Sequence, residues 1–170
     1  AIRASEPGST FKLATLLSLL ENGQVKITDQ VDLEKGSWKV NGRTVYDSER
    51  HGRNVVTVKE AFKFSSNVGM AKLVTQHYTK QPQRFVNMLR DLRLHETTKV
   101  DLVGETNPVI KSPKSKTWSA TTLPWMSFGY EVLVSPLQTL VLYNALANDG
   151  KMMRPYLLHA VNQGGIEIER

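Results

Sequence analysis

The sequence predicts an α+β domain whose larger share is helical. Helices are expected in five stretches, over residues 9–22, 58–64, 68–77 and 82–92 and from Pro136 up to Asn148-Asp149-Gly150. Trp38-Lys39-Val40 and Arg43-Thr44-Val45-Tyr46 flank Asn41-Gly42, a strong hairpin signal, because Asn and Gly supply the left-handed residues of a two-residue turn. The 170 residues are 40% hydrophobic and 22% charged, which is enough for one domain with a real core.

Taken in order, Pro7 and Gly8 bend the chain, and Ser9 is placed to cap a helix over residues 9–22 that Asn22-Gly23 ends. Residues 24–36 read as polar and irregular, and residues 47–54 as a charged loop. Thr57-Val58-Lys59-Glu60 is a capping box, so a short helix is expected over 58–64. It stops at Ser65-Ser66-Asn67, and helical spacing resumes through Val68, Met70, Ala71, Leu73 and Val74 to about His77. A further helix is expected over 82–92, with Phe85, Met88, Leu89 and Leu92 inward. Residues 96–128 carry Gly, Pro, Ser and Thr throughout and read as a long loop region, a length expected only where a loop is functional or docks on other structure. Ser135 caps the last helix and Pro136 fits its first position; Leu137, Leu140, Val141, Asn144 and Ala145 follow, and Asn148-Asp149-Gly150 ends it. Residues 157–161, Gly164-Gly165 and residues 166–168 suggest a closing hairpin.

Composition narrows the function. The absence of cysteine excludes disulfides, a thiol nucleophile and thiolate metal sites. His51, His77, His95 and His159 are scattered, with no His-x-x-x-His pair, so neither a metal nor another cofactor is expected. The net charge of +6 and pI of about 9.6 permit contact with anionic surfaces. The basic residues are dispersed, however. The one cluster, Lys111, Lys114 and Lys116, has no interleaved aromatics for base stacking, so it reads as a solvated loop and no nucleic-acid partner is expected. No apolar run approaches the roughly 18 residues of a membrane span. Ala1-Ile2-Arg3-Ala4 is no signal peptide, and both ends read as the middle of a longer chain, so an excised fragment is expected.

The chemistry-bearing stretch is Glu6-Pro7-Gly8-Ser9-Thr10-Phe11-Lys12. Lys12 follows Ser9 by three positions and shares its helical face. A hydroxyl at a helix N-terminus beside an amine can be an activated nucleophile: the amine takes the proton, and the helix dipole favours the developing anion. Spacing alone is no argument, because 12 Ser and 13 Lys in this chain produce about one Ser-x-x-Lys by chance. An ordinary N-cap with a solvated lysine is the bland alternative.

Context supplies the rest. Glu-Pro-Gly-Ser-Thr-Phe-Lys (6–12), Ser-Ser-Asn (65–67), Phe-Gly-Tyr-Glu-Val-Leu-Val-Ser-Pro-Leu-Gln (128–138) and Asn-Asp-Gly-Lys-Met-Met-Arg-Pro (148–155) occur in that order. Together they resemble the transpeptidase domain of a class B penicillin-binding protein, and the Glu-Pro-Gly lead-in resembles the cell-division type more than the elongation type. The resemblance implies the penicillin-binding-protein/β-lactamase-like α+β fold. Residues 1–170 would then hold mainly its helical part, with most of the central antiparallel sheet outside them.

The resemblance also implies roles. Ser9 matches the serine acylated by the D-alanyl-D-alanine end of a peptidoglycan stem peptide, an ester that an amine of a neighbouring stem then attacks. Lys12 matches the amine that takes the serine proton, which requires desolvation or crowding by another positive group. Ser65 matches a relay of protons to the leaving amine. Asn67 matches an amide that accepts from the lysine and donates to the substrate backbone, and Ser66, between them, carries no role. The backbone amide of Ser9 would form part of an oxyanion hole. The family's third motif, Lys-Ser/Thr-Gly, is absent: Lys116-Thr117-Trp118 puts Trp where Gly is needed. On its own the chain is therefore not expected to be active, although its parent is.

Residues 128–138 read as structural, with Gly129 in a turn and Glu131 where relatives often carry a small residue. Packing is the expected role of Trp118, Trp125 and Tyr130. The implied partners are peptidoglycan stem peptides, β-lactams, cell-division proteins and a membrane reached through an upstream anchor. The implied location is the periplasm or the outer face of the cell membrane. A D,D-carboxypeptidase or β-lactamase-like hydrolase and a β-lactam sensor remain open, although no Glu that would activate water is identifiable.

Overall fold

The apolar run after Phe11 winds into helix α1 (Lys12–Glu21), led in by a 3-10 turn over Gly8–Phe11. It stops as its sequence dictates. Gly23, with φ of 62°, donates to Leu20 O at 2.9 Å and Gln24 to Leu19 O at 2.9 Å, the paired bonds that close a helix end around a left-handed residue. The computed structural model describes residues 1–49, 51–158, 160–163 and 166–169. His159 and Gly164-Gly165, which the sequence placed in the closing segment, lie outside the described residues.

Two capping boxes start helices where expected. Thr57 and Glu60 exchange bonds of 3.1 and 2.9 Å at the head of α2 (Val58–Lys63). Ser135 and Gln138 exchange bonds of 3.1 and 2.8 Å at the head of α6 (Pro136–Ala147). Between them run α3 (Asn67–Tyr78), α4 (Pro82–Asp91) and α5 (Thr122–Met126). α3 is the centre of the core and packs against α1, α2, α4 and α5. Val68, Met70, Ala71, Val74 and Tyr78 on it are fully buried. Tyr78 is held at both faces of its hydroxyl, donating to Ser18 O at 2.7 Å and accepting from Asn22 Nδ2 at 2.9 Å.

Among the described residues the strands pair in four antiparallel twos at the margins of this helical core: β1 (Gln30–Asp32) with β4 (Val55–Thr57), β2 (Ser37–Val40) with β3 (Arg43–Tyr46), β5 (Val109–Ile110) with β6 (Val132–Leu133), and β7 (Val161–Gln163) with β8 (Ile166–Glu169). The Asn41-Gly42 hairpin forms as expected, whereas the first closing strand is Val161–Gln163 rather than residues 157–161, a shift that a short apolar run leaves open. The α+β architecture holds, with helices in the majority.

Three expectations are corrected. Residues 24–36 are not wholly irregular, since β1 seats the buried Val31 opposite Val56 of β4; three residues are too few to show alternation. The 96–128 segment is not continuous loop, because α5 buries Thr122, Leu123, Pro124 and Met126 against α3. A single turn of helix has no readable period. On α6 the buried face is Gln138, Leu142 and Ala145, whereas Leu140 and Asn144 are exposed. That helix is apolar nearly all round, so its pattern does not select a face. Among the described residues no helix is long and apolar enough to cross a membrane.

Candidate active site

Ser9 is exposed within the 3-10 turn and does not cap α1, in contrast to the sequence expectation. The residue at the cap position is Phe11, without a side-chain cap bond. What fixes the turn is a strap from residues 128–134. Gly8 N donates to Gly129 O at 3.1 Å, Glu131 N to a Glu6 carboxylate oxygen at 3.0 Å, and Ser5 and Val134 exchange backbone bonds of 3.1 and 3.0 Å. Glu131, which departs from the small residue of relatives, is engaged: its carboxylate accepts from Lys111 Nζ at 2.9 Å and Thr122 Oγ1 at 2.7 Å. Lys111 therefore belongs to an ion pair and not to the solvated cluster expected of it.

Lys12 opens α1 and is 2% exposed. Its Nζ donates to Ser9 Oγ at 3.0 Å, to Ser65 Oγ at 2.9 Å and to the Ser65 carbonyl. An ammonium has three hydrogens, and all three are placed. Burial pulls Lys12 down from 10.5 to about 8, with the charge of Asp47 opposing it. At pH 7 an amine of that strength is roughly one-tenth neutral, against well under a thousandth for an ordinary lysine. The neutral form has a lone pair for the Ser9 proton, so the arrangement can activate a hydroxyl nucleophile.

Ser65 reaches Lys12 because of how α2 ends. Ser65 N donates to Phe62 O and Ser66 N to Ala61 O, both at 2.9 Å, which is the same double bond pattern that closes α1. The left-handed residue at that position is usually Gly. Here it is Ser65, with φ of 55°, a conformation that costs about 1 kcal/mol without glycine. Ser66 then caps α3, accepting from Gly69 N at 2.8 Å. Gly69 allows the two helices to meet, since a methyl there would lie 3.0 Å from the Ala61 Cβ.

The four predicted residues thus divide. Ser9, Lys12 and Ser65 converge. Asn67 starts α3 beside them, but its Nδ2 donates to Tyr46 O at 2.8 Å, and the expected bond with Lys12 is not formed. Two neighbours escaped sequence reasoning. Ser66, read as roleless, is fully buried and donates to the Asp47 carboxylate at 2.8 and 3.0 Å. A serine immediately before a helical run is an N-cap signal that could have revealed it; Asp47 carried none. Trp125 packs against Phe128 and under Arg43, and Trp118 lies against the main core, which agrees with packing roles. Among the described residues no cluster of His, Asp and Glu is arranged to hold a metal.

Residues 2–169 match the penicillin binding protein transpeptidase domain. The chain belongs to that family. It is 33% identical over 153 residues to the penicillin-binding protein PbpB of Mycolicibacterium smegmatis, across 90% of this chain and 23% of that protein. It is 29% identical over 157 residues to the peptidoglycan D,D-transpeptidase FtsI of Escherichia coli K12, across 92% of this chain and 25% of the relative. Among solved structures it resembles penicillin-binding protein 3 of Mycobacterium tuberculosis in complex with aztreonam, with a TM-score of 0.80 and 30% identity over 98% of this chain and 36% of that one. A chain of a peptidoglycan synthase complex superposes with a TM-score of 0.85 at 25% identity, over 99% of this transpeptidase-family chain and 29% of its own length. The chain spans about a quarter of the curated relatives it matches. The match extends across both predicted motifs, from Ser9 through Asn67, and across the strap at 128–134.

Proposed function

We propose that the protein containing this domain is a peptidoglycan D,D-transpeptidase working through a serine acyl-enzyme. The observation that carries this reading is the convergence of Ser9 Oγ, Lys12 Nζ and Ser65 Oγ within 3.0 Å bonds, with Lys12 buried. Neutral Lys12 takes the Ser9 proton as Oγ attacks the carbonyl of the penultimate D-alanine. The C–O bond forms, and the C–N bond to the terminal D-alanine breaks. Ser65 passes the proton from Lys12 to the departing nitrogen. An amine of a second stem peptide then attacks the ester, forming the crosslink and returning the proton to Ser9.

Asn67 orients the donor backbone. A β-lactam carbonyl enters the same attack and leaves Ser9 acylated. The substrate places the site outside the cytoplasm, on the outer face of the cell membrane, and the likeness to FtsI favours partners in cell division.

The test is labelling with a fluorescent penicillin. One covalent label on Ser9, absent from Ser9→Ala, is expected. No label, or a label elsewhere, sinks the reading. Product analysis with a stem-peptide donor and an acceptor amine then separates crosslinking from hydrolysis.

A further inference from the structure

The hairpin β2–β3 ends against the loop that carries Ser65. Tyr46 O receives the Asn67 side chain at 2.8 Å. One residue on, the Asp47 carboxylate accepts from Ser66 Oγ at 2.8 and 3.0 Å and from Val68 N at 2.9 Å. Asp47 is itself fixed, because its amide donates to Gly36 O at 2.9 Å and Gly36 N donates to Leu33 O at 2.7 Å. Leu33 is buried in the main core. A chain of bonds therefore runs from that core through Asp47 to both residues that follow Ser65 and Asn67.

We propose that Asp47 is a positioning residue of this active site: its carboxylate clamps residues 66 and 68 and so holds Ser65 in the left-handed turn that presents its hydroxyl and carbonyl to Lys12. This rests on the reading of Ser9 and Lys12 given above. The clamp is needed because Ser65 occupies a place that favours glycine. Unless its neighbours are held, a serine there relaxes toward negative φ and takes both groups away from the amine. Bonds to an ionised carboxylate suit the task, being roughly twice as strong as neutral ones.

The charge has a second effect. Asp47 is the group whose charge stabilises protonated Lys12 against burial. Around Lys12 the bonded groups are the uncharged Ser9 and Ser65. Around Asp47, Lys35, His51 and Arg53 line the same cavity of about 240 Å³. Removing the carboxylate therefore does two opposed things. It frees the Ser65 loop, which slows acylation, and it makes Lys12 easier to deprotonate, which moves the rising limb of the pH profile to lower pH. A merely structural contact would produce only the first.

The experiment follows the rate of acylation by a fluorescent penicillin against pH in the full-length protein, with folding checked by thermal melting. Asp47→Asn is expected to lower the plateau by about ten- to a hundredfold, the scale of a misplaced catalytic group, and to move the midpoint to lower pH. Ser66→Ala keeps the charge and is expected to slow acylation with the midpoint in place. An Asp47→Asn protein that folds and keeps the wild-type midpoint overturns the proposal. If Asp47→Asn does not fold, Ser66→Ala decides: a wild-type rate overturns the clamp, and a slowed rate at an unmoved midpoint supports it. Label persisting in Ser9→Ala would overturn the site as a whole, whereas the Asp47 result bears on the clamp alone.

Discussion

Gly129 lies so close to Gly8 that a methyl group on it would fall 2.0 Å from the Gly8 carbonyl oxygen. This approach locks the strap at 128–134 onto the turn before Ser9. Gly129→Ala is expected to destabilise the protein by about 3 kcal/mol or more, from backbone overlap together with a φ of 88° that alanine avoids. Gly8→Ala also has a positive φ but open space around it, and is expected to lose only about 1 kcal/mol. Urea unfolding of the pair checks the contrast; equal losses would show that conformation, not contact, governs both positions.

Ser65 trades backbone comfort for chemistry. Ser65→Gly relieves the left-handed conformation and loses the hydroxyl bond to Lys12, so its stability is expected within about 1 kcal/mol of wild type. Ser65→Ala loses the same bond without the relief and is expected to be less stable than the glycine variant by about 1 kcal/mol. Both are expected to slow acylation about a hundredfold or more. Denaturation curves with alanine above glycine would refute the account.

Lys12 sets a pH signature. Its folded value of about 8 lies below the 10.5 of the unfolded chain, so the unfolded chain holds the extra proton between those values. Stability therefore rises as pH rises through that window, by roughly 3 kcal/mol over its full width, and the burial penalty is fully felt below pH 8. Lys12→Met is expected to lose that slope. Acylation of the wild type is expected to climb with a midpoint near pH 8. Unfolding free energies and labelling rates that stay flat from pH 7 to 9 would contradict both expectations.

Tyr78 tests the core independently of the site. Tyr78→Phe keeps the ring contact with Phe85 and removes the bonds to Ser18 O and Asn22. A loss of about 1 to 2 kcal/mol is expected in urea unfolding, with the labelling rate unchanged, because Ser18 lies about 9 Å along α1 from Lys12. A fall in labelling would tie this end of the helix to catalysis.

The legible parts were those written in neighbouring residues. Thr57 with Glu60, Ser135 with Gln138, Asn41-Gly42 and Asn22-Gly23 each act over four positions or fewer, and each marks the boundary it was expected to mark. α5 escaped because one turn containing Pro124 has no period and is helical only through burial against α3. β1 and β4 escaped because each is three residues long and each needs the other. In the site, the Ser9–Lys12 pair and the Ser65–Asn67 motif were legible, but Asn67's bond to Tyr46 and Asp47's hold on Ser66 were not, since both come from a hairpin some twenty residues upstream.

The sequence by itself determined that Ser9 and Lys12 share a helical face, where the two helices around Ser65 stop and start, and the family through motif order. Only the tertiary structure decided that Ser65, 53 residues further on, meets Lys12, and that burial lowers Lys12 from 10.5 to about 8. Steric and hydrogen-bond preferences of a backbone reach about four residues, so they are written locally. Desolvation of an amine depends on every element packed around it, and no single stretch of chain encodes that.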